Sequence, residues 1–238
     1  MTPEGGGGGA TPAELAVRPP RLAAHFASMG VQLDASRLGI WLFLASEVLF
    51  FGGLLCAYAV YRANHPDLFR YGHFFLDWRL GALNTAVLIG SSLSAAWSVR
   101  CAQLGRRGGL VVTLLVTLAL ASVFMAVKYA EYSHKLHHGV SWGAAYHPST
   151  EILAALPAAL RWAPPPPYVG TFFSLYFLLT GLHGIHVIVG MGLYGWLLRR
   201  AVRGDFGPGY YVPVDVVALY WHLVDIIWMF LFPLLYLV

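Results

Sequence analysis

Long apolar stretches, separated by short polar segments, recur along most of the chain. A helix that crosses the hydrocarbon core of a bilayer needs roughly 20 mostly apolar residues. Five stretches are long enough: Leu38–Tyr61, Gly81–Cys101, Gly109–Tyr132, Val169–Leu198 and Asp215–Val238. The pattern predicts an all-α membrane protein, a bundle of five transmembrane helices in one domain over residues 37–238.

Residues 1–36 have a different pattern, with a glycine run at Gly5–Gly9, several prolines and no long apolar stretch. We expect a disordered, cytoplasmic leader. Arginine and lysine are more frequent in this leader and in loops 99–108 and 199–214 than in the loops on the other side. Because cytoplasmic loops carry an excess of basic residues, the N-terminus is predicted inside and the C-terminus outside.

Composition agrees with a membrane protein, since 58% of the residues are hydrophobic and only 11% are charged. The formal net charge of +4 arises from short arginine clusters beside apolar stretches, which is typical of membrane orientation and not of a nucleic-acid partner. Arg199, Arg200 and Arg203 follow the fourth span. They are candidates for contact with anionic lipid headgroups, or they only set the orientation.

Several polar side chains fall inside the predicted spans, in the inner half of the membrane: Glu47, His183, His186, His222 and Asp225. Charged groups in hydrocarbon usually face the bundle interior or a partner. His183 and His186, like His222 and Asp225, are three residues apart and share a helix face. We predict one intramembrane polar cluster, in which the histidine pair makes interhelical hydrogen bonds. Glu47 is expected to form a hydrogen bond with a histidine or another polar group across the bundle, in a proton-related or a purely structural role.

Lys128 and Glu131 form a second polar group near the outer end of the third span. They are three residues apart on one helix, so an ion pair between them is expected, and a structural role at a helix interface is favoured.

Two other kinds of protein remain open from these residues. His183 and His222 could bind haem from two helices, as in a stand-alone b-type membrane cytochrome. A transporter is less favoured, because the sequence has neither clear repeats nor broken helices. The residue pattern itself predicts no metal site in this chain.

Five segments then occur in an order that is similar to that of a known family. They are RLGIWLFLASEVLFFGGLLCAYAVYR, LNTAVLIGSSLSAAW, KYAEYSHKLHHG, GTFFSLYFLLTGLHGIHVIVG and YWHLVDIIWMFLF. Over about residues 37–238 they resemble subunit III of haem-copper terminal oxidases, the cytochrome c oxidase subunit III family. Many members have seven spans, and this chain resembles the five-span bacterial form.

The resemblance implies an enzyme subunit that has no catalytic centre and no cofactor of its own, with haem and copper in partner subunits. The complex reduces oxygen to water with electrons from cytochrome c in aerobic respiration and pumps protons. A quinol oxidase and a nitric-oxide-reductase-associated complex are the alternatives. The chain is then expected to stabilise subunit I, to support proton uptake and to bind phospholipid.

The resemblance also implies partners and a location. Subunit I is the direct partner, with subunit II, a small subunit IV and a respiratory supercomplex as further ones, in the bacterial cytoplasmic (inner) membrane. By motif position, Glu47 matches the family's buried carboxylate. The family's recurring polar positions are matched by Glu131, His183, His186, His222 and Asp225.

Overall fold

The computed structural model describes residues 26–154, 156–157 and 166–237. In these ranges the regular structure is helical, apart from one isolated bridge between Gly207 and Tyr210. The helices are α1 (Met29–Asn64), α2 (Pro66–His73), α3 (Trp78–Gln103), α4 (Arg107–His137), α5 (Thr150–Ala154), α6 (Val169–Arg203) and α7 (Val212–Tyr236), with a 3₁₀ turn at Gly143–Ala145. Five of them, α1, α3, α4, α6 and α7, are long and apolar enough to cross a membrane, which confirms the predicted all-α class.

The first helix begins earlier than the sequence predicts. α1 starts at Met29, inside the segment 1–36 that was assigned to a disordered leader. Ser28 is the reason, because its side chain caps the helix by accepting a hydrogen bond from the backbone N–H of Val31 at 3.3 Å. The leader boundary is therefore wrong at its C-terminal end, and residues 1–25 lie outside the described part of the chain.

The other predicted span ends are also displaced. α3 and α4 extend at both ends beyond the predicted spans, and α6 continues to Arg203. Asp77 caps α3 by accepting from the backbone N–H of Arg79 at 2.8 Å, and Pro213 stands in the first turn of α7. At the starts of α3 and α7, these local residues and not the limits of apolar character set the helix end.

The last helix, α7, lies at the centre of the bundle and packs against α1, α3 and α6. Its indoles Trp221 and Trp228 are fully buried. Each donates a hydrogen bond to a hydroxyl of α3: Trp221 Nε1 to Ser91 Oγ at 2.9 Å and Trp228 Nε1 to Thr85 Oγ1 at 3.1 Å. These bonds satisfy the buried indole donors and fix the rotation of α7 against α3.

A glycine on α6 makes room for one of these indoles. A Cβ atom on Gly190 would lie 2.5 Å from a ring carbon of Trp221, which is shorter than any van der Waals contact. A small residue here lets α6 and α7 approach closely, as is common between transmembrane helices.

The first helix is the least buried of the five. It packs mainly on α7 and α2 and leaves Trp41, Leu42 and Leu49 exposed. Near its end, the Tyr58 hydroxyl donates to the carbonyl of Leu234 in the last turn of α7. Carbonyls in a last helical turn have no partner in their own helix, so this bond both satisfies one of them and attaches α1 to α7.

Candidate functional site: polar side chains between the helices

Glu47 and His186 connect α1 to α6 near the middle of both helices. Glu47 Oε2 lies 3.1 Å from His186 Nε2. The two side chains are 17% and 19% exposed, so the pair sits at the edge of the bundle. Of the partners expected for Glu47, a histidine or another polar group, the structure places the histidine His186 against it.

The hydrogen bond of the other ring nitrogen of His186 shows which atoms of the pair carry hydrogen. Nδ1 lies 2.8 Å from the carbonyl oxygen of Leu182, and a carbonyl only accepts, so Nδ1 carries a hydrogen. In a neutral imidazole Nε2 then has only a lone pair. A hydrogen bond to Glu47 therefore requires one further proton, either on the carboxyl or on Nε2. In both arrangements the pair shares that proton and has no net charge.

Aromatic groups hold His186 in this position. The ring of Phe51, one turn after Glu47, packs edge-on against the imidazole with centroids 5.1 Å apart. The Tyr220 hydroxyl of α7 donates to the backbone carbonyl of His186 at 2.9 Å. Three helices thus contribute to one polar contact.

His183 does not join this contact. It is fully buried, and its ring packs against Phe124 and Trp228 with centroids 5.6 and 5.2 Å apart. Neither ring nitrogen has a hydrogen-bond partner within the described chain. The predicted interhelical hydrogen bond is therefore wrong for His183 and is present for His186. Positions three apart differ by about 60° around the axis, which is enough for the two rings to face different neighbours.

His222 and Asp225 line a separate groove between α3 and α7, with a volume of about 420 Å³. His222 Nδ1 lies 2.7 Å from Ser92 Oγ. Asp225 is 4% exposed, and neither of its carboxylate oxygens has a hydrogen-bond partner among the described residues. The predicted single cluster is thus divided into the Glu47–His186 pair, the isolated His183 and this groove.

Lys128 and Glu131 form the predicted ion pair, and the structure adds a second lysine. Lys128 Nζ lies 2.8 Å from Glu131 Oε2, and Lys135 Nζ lies 2.7 Å from Glu131 Oε1. All three residues are buried. We refer to Lys128, Glu131 and Lys135 as the charge triad.

Two tyrosines join the charge triad to the rest of the bundle. Tyr176 of α6 and Tyr236 of α7 donate to Glu131 Oε1 at 2.9 and 2.7 Å. Both hydroxyls also accept from Lys128, at 3.2 and 2.9 Å, and their rings lie 5.3 and 5.6 Å from its ammonium. The triad therefore connects α4, α6 and α7 through charge-assisted hydrogen bonds.

The three arginines at the end of α6 are not equivalent. Arg200 pairs with Asp205 at 2.9 Å, and its guanidinium lies 5.0 Å from the ring of Trp196 and 5.6 Å from that of Tyr210. Arg199 and Arg203 are exposed. Of the predicted headgroup contacts, Arg200 is thus engaged in protein contacts, and the other two face outward.

Sequence reasoning missed Lys135, Tyr176, Tyr236 and Ser92. Lys135 had a usable signal, because it follows Glu131 by four residues on the same helix face. The tyrosines and Ser92 had none, since hydroxyl-bearing residues are frequent throughout these spans.

The haem hypothesis can also be compared with this geometry. His183 would have to displace the rings of Phe124 and Trp228 to reach an iron, and it does not line the groove that contains His222. In the described ranges, no three or more His, Cys, Asp or Glu side chains are grouped so that they could hold a metal ion. The arrangement does not favour a two-histidine haem site.

These features define a multi-pass helical membrane protein whose helices are joined by buried polar contacts. The family model described as cytochrome c oxidase subunit III matches residues 25–153 and 168–238. The chain therefore belongs to the cytochrome c oxidase subunit III family, which confirms the resemblance and makes it a subunit of a haem-copper oxidase.

Individual relatives agree. The chain is 31% identical over 201 residues to the probable cytochrome c oxidase subunit 3 of Nocardia farcinica, covering 84% of this chain and 87% of that protein. It is 27% identical to the cytochrome c oxidase subunit 3 of Corynebacterium diphtheriae, with 84% and 86% covered. With the cytochrome c oxidase subunit 3 of Cyanidium caldarium the identity is 30%, and the chain spans 66% of that protein.

Proposed function

We propose that this chain is the subunit III of a bacterial oxidase that reduces oxygen to water with electrons from cytochrome c and pumps protons across the cytoplasmic membrane. The chain itself carries no redox centre, and haem and copper belong to subunits I and II. The support is the family match over most of the chain and the similarity to bacterial relatives that carry the name cytochrome c oxidase subunit 3.

The composition of the purified complex tests this proposal. Haem and copper per mole of tagged chain are measured after purification in mild detergent, from the native membrane and from a host that expresses the chain alone. We expect both metals only in the native preparation, together with oxidation of reduced cytochrome c. Haem in the chain alone would revive the b-type cytochrome, and oxidation of quinol but not of cytochrome c would assign the chain to a quinol oxidase.

Within that complex, we propose that the Glu47–His186 pair supports proton uptake by the neighbouring subunit I. The observation that supports this proposal is the hydrogen-bond arrangement of the pair. The Glu47 carboxyl and the His186 imidazole share one proton at a partly exposed position. A pair that exchanges this proton between two atoms stays neutral, so it can hold a proton in an apolar setting without leaving a bare charge there.

Glu47→Gln separates the proton role from a structural one. The glutamine amide still donates to His186 Nε2, so the contact between α1 and α6 is kept, but no exchangeable acid proton remains. We expect normal haem content with fewer protons pumped per electron, or a shorter lifetime during turnover. Glu47→Leu is the matched control that also removes the hydrogen bond and should reduce assembly. Unchanged pumping and lifetime in Glu47→Gln would show that the pair is only structural.

We propose that phospholipid binds at the end of the bundle where the C-terminus of α6 lies. A groove of about 460 Å³ between α1, α6 and α7 is lined mainly by apolar side chains, together with Trp196 and Tyr210. Exposed Arg199 and Arg203 stand at the same end of α6 and suit an anionic headgroup. The double variant Arg199→Gln/Arg203→Gln should lower the anionic phospholipid that copurifies, as measured by mass spectrometry, whereas unchanged lipid would contradict this assignment.

The proposed orientation has the N-terminus and the leader on the cytoplasmic side. It rests on the basic residues of the leader and of loops 99–108 and 199–214. Alkaline phosphatase, which is active only outside the cytoplasm, should be active when it is fused after Val238 and inactive when it is inserted at Gly105. The reverse result would invert the topology.

A further inference from the structure

The two carboxylates near the middle of the bundle differ in one respect. Glu47 has a partner in its own chain, His186. Asp225 is equally central in α7 and more deeply buried. Ser92 is close enough to interact with its carboxylate, but the Ser92 hydroxyl bonds His222 at 2.7 Å, and neither carboxylate oxygen makes a hydrogen bond of normal geometry among the described residues. Burying a polar group without a partner is unfavourable, so the bonding of Asp225 is incomplete in the chain by itself.

The groove that contains Asp225 opens on the outside of the bundle. Its rim includes the exposed apolar side chains Leu93, Ile226 and Met229. Asp225, His222, Ser92 and Thr85 supply the polar part of its lining. Exposed apolar side chains in a membrane can be covered by lipid, but an ionisable side chain at this depth usually pairs with another polar group, so the carboxylate indicates that a polar partner faces the groove.

We propose that this α3–α7 groove is the docking site for a transmembrane helix of the larger, haem-bearing subunit of the oxidase. The helix presents a hydrogen-bond donor to Asp225, either a hydroxyl, amide or indole group or a cationic side chain. The proposal rests on the proposed function, because it requires that the chain assembles with such a subunit.

The chemistry of the groove favours a protein helix over the other occupants. A lipid acyl chain fills apolar space but offers no donor for the Asp225 carboxylate. A second copy of this chain, docked by the same face about a two-fold axis, would bring two Asp225 carboxylates together, and like charges disfavour that arrangement. A partner helix with a donor supplies both the apolar cover and the missing hydrogen bond.

Photo-crosslinking in the native complex tests the location. A photo-reactive amino acid replaces Leu93 on the rim of the groove, which is 67% exposed, or Leu49 on α1, which is 76% exposed and lies outside the groove. We expect a crosslink to the haem-bearing subunit from position 93 and not from position 49. A crosslink from position 49 alone, or from neither position while haem copurifies, overturns the docking site and leaves the proposed function standing.

Asp225→Leu tests the role of the carboxylate. In the complex, removing it should lower the haem retained per mole of tagged chain by about tenfold, as expected for a central interface contact. In the full chain purified alone, the same change should leave the thermal midpoint unchanged or raised, because it removes an unpartnered buried group. Ile226→Leu, a conservative change on the same rim, is the matched control and should retain haem.

These outcomes separate the two proposals. Lower haem retention with an intact midpoint supports docking at Asp225. A lower midpoint in the isolated chain shows that Asp225 stabilises the fold, which overturns the docking role. If the unaltered chain copurifies with no haem-bearing subunit, the proposed function fails and this inference fails with it.

Discussion

The charge triad allows a sharp test of what holds the bundle together. Glu131→Gln keeps the size of the side chain but removes the only negative charge of the triad. Its side chain is 3% exposed, so water cannot replace it. Lys128 and Lys135 then lie close together, each without its carboxylate partner.

The expected loss of stability follows from the burial of the triad. Removing one partner of a buried ion pair costs about 3–5 kcal/mol, because the remaining charge is left uncompensated. Here one substitution leaves two ammonium groups, so we expect the upper part of that range. For a chain of this size, 1 kcal/mol corresponds to about 2–4 °C in the thermal midpoint, so a loss of about 4–5 kcal/mol lowers the midpoint by about 8–20 °C.

The assay is thermal unfolding of the full chain in mild detergent, followed by circular dichroism. Glu151→Gln is the control, because the same substitution is made there at a side chain that is 84% exposed. We expect the free energy of unfolding of this variant to change by no more than about 0.5 kcal/mol. The triple variant Lys128→Met/Glu131→Gln/Lys135→Met should recover most of the lost stability, because it leaves no buried ammonium behind.

Two results would refute this reasoning. If Glu131→Gln is as stable as Glu151→Gln, the triad is not a buried charge network. If the triple variant is as unstable as Glu131→Gln, the loss comes from packing or from the tyrosine hydrogen bonds and not from uncompensated lysines.

Two further predictions concern helix packing. Gly190→Ala should lower the thermal midpoint of the chain in detergent by the equivalent of about 1–3 kcal/mol, because the added methyl group meets the fully buried Trp221. Gly192→Ala, with open space around the same atom, should not. Tyr58→Phe should cost about 1 kcal/mol in the same measurement through the lost bond to the end of α7, whereas Tyr129→Phe at an exposed position should be silent.

Hydropathy was sufficient to predict the number of spanning helices, because apolar length is the main requirement of a bilayer. It was insufficient for their ends. Gln32, Asp34 and Arg37 lower the apolar character before the first predicted span, yet they are helical because Ser28 provides a cap. Helix ends depend on a few local hydrogen bonds, which an average over a long window does not detect.

Side-chain pairing was predictable within one helix and not between helices. The Lys128–Glu131 pair follows from their spacing on α4. For Glu47, the sequence indicated a histidine or another polar group as the partner. It could not distinguish His183 from His186, since these positions are separated by only about 60° around the helix axis. The rotation of α6 against α1 and α7 decides this, and that rotation depends on the packing of many side chains together, including the close approach at Gly190.

The position of Glu47 in the chain has a consequence for biosynthesis. Its partner His186 follows 139 residues later, and Leu234, the acceptor for Tyr58, follows 176 residues after Tyr58. At about 5–20 residues per second of synthesis, His186 is added roughly 7–28 s after Glu47. During this interval a carboxyl group enters the bilayer without its imidazole. Release of α1 from the insertion machinery into lipid is therefore expected to be delayed until the last helices arrive.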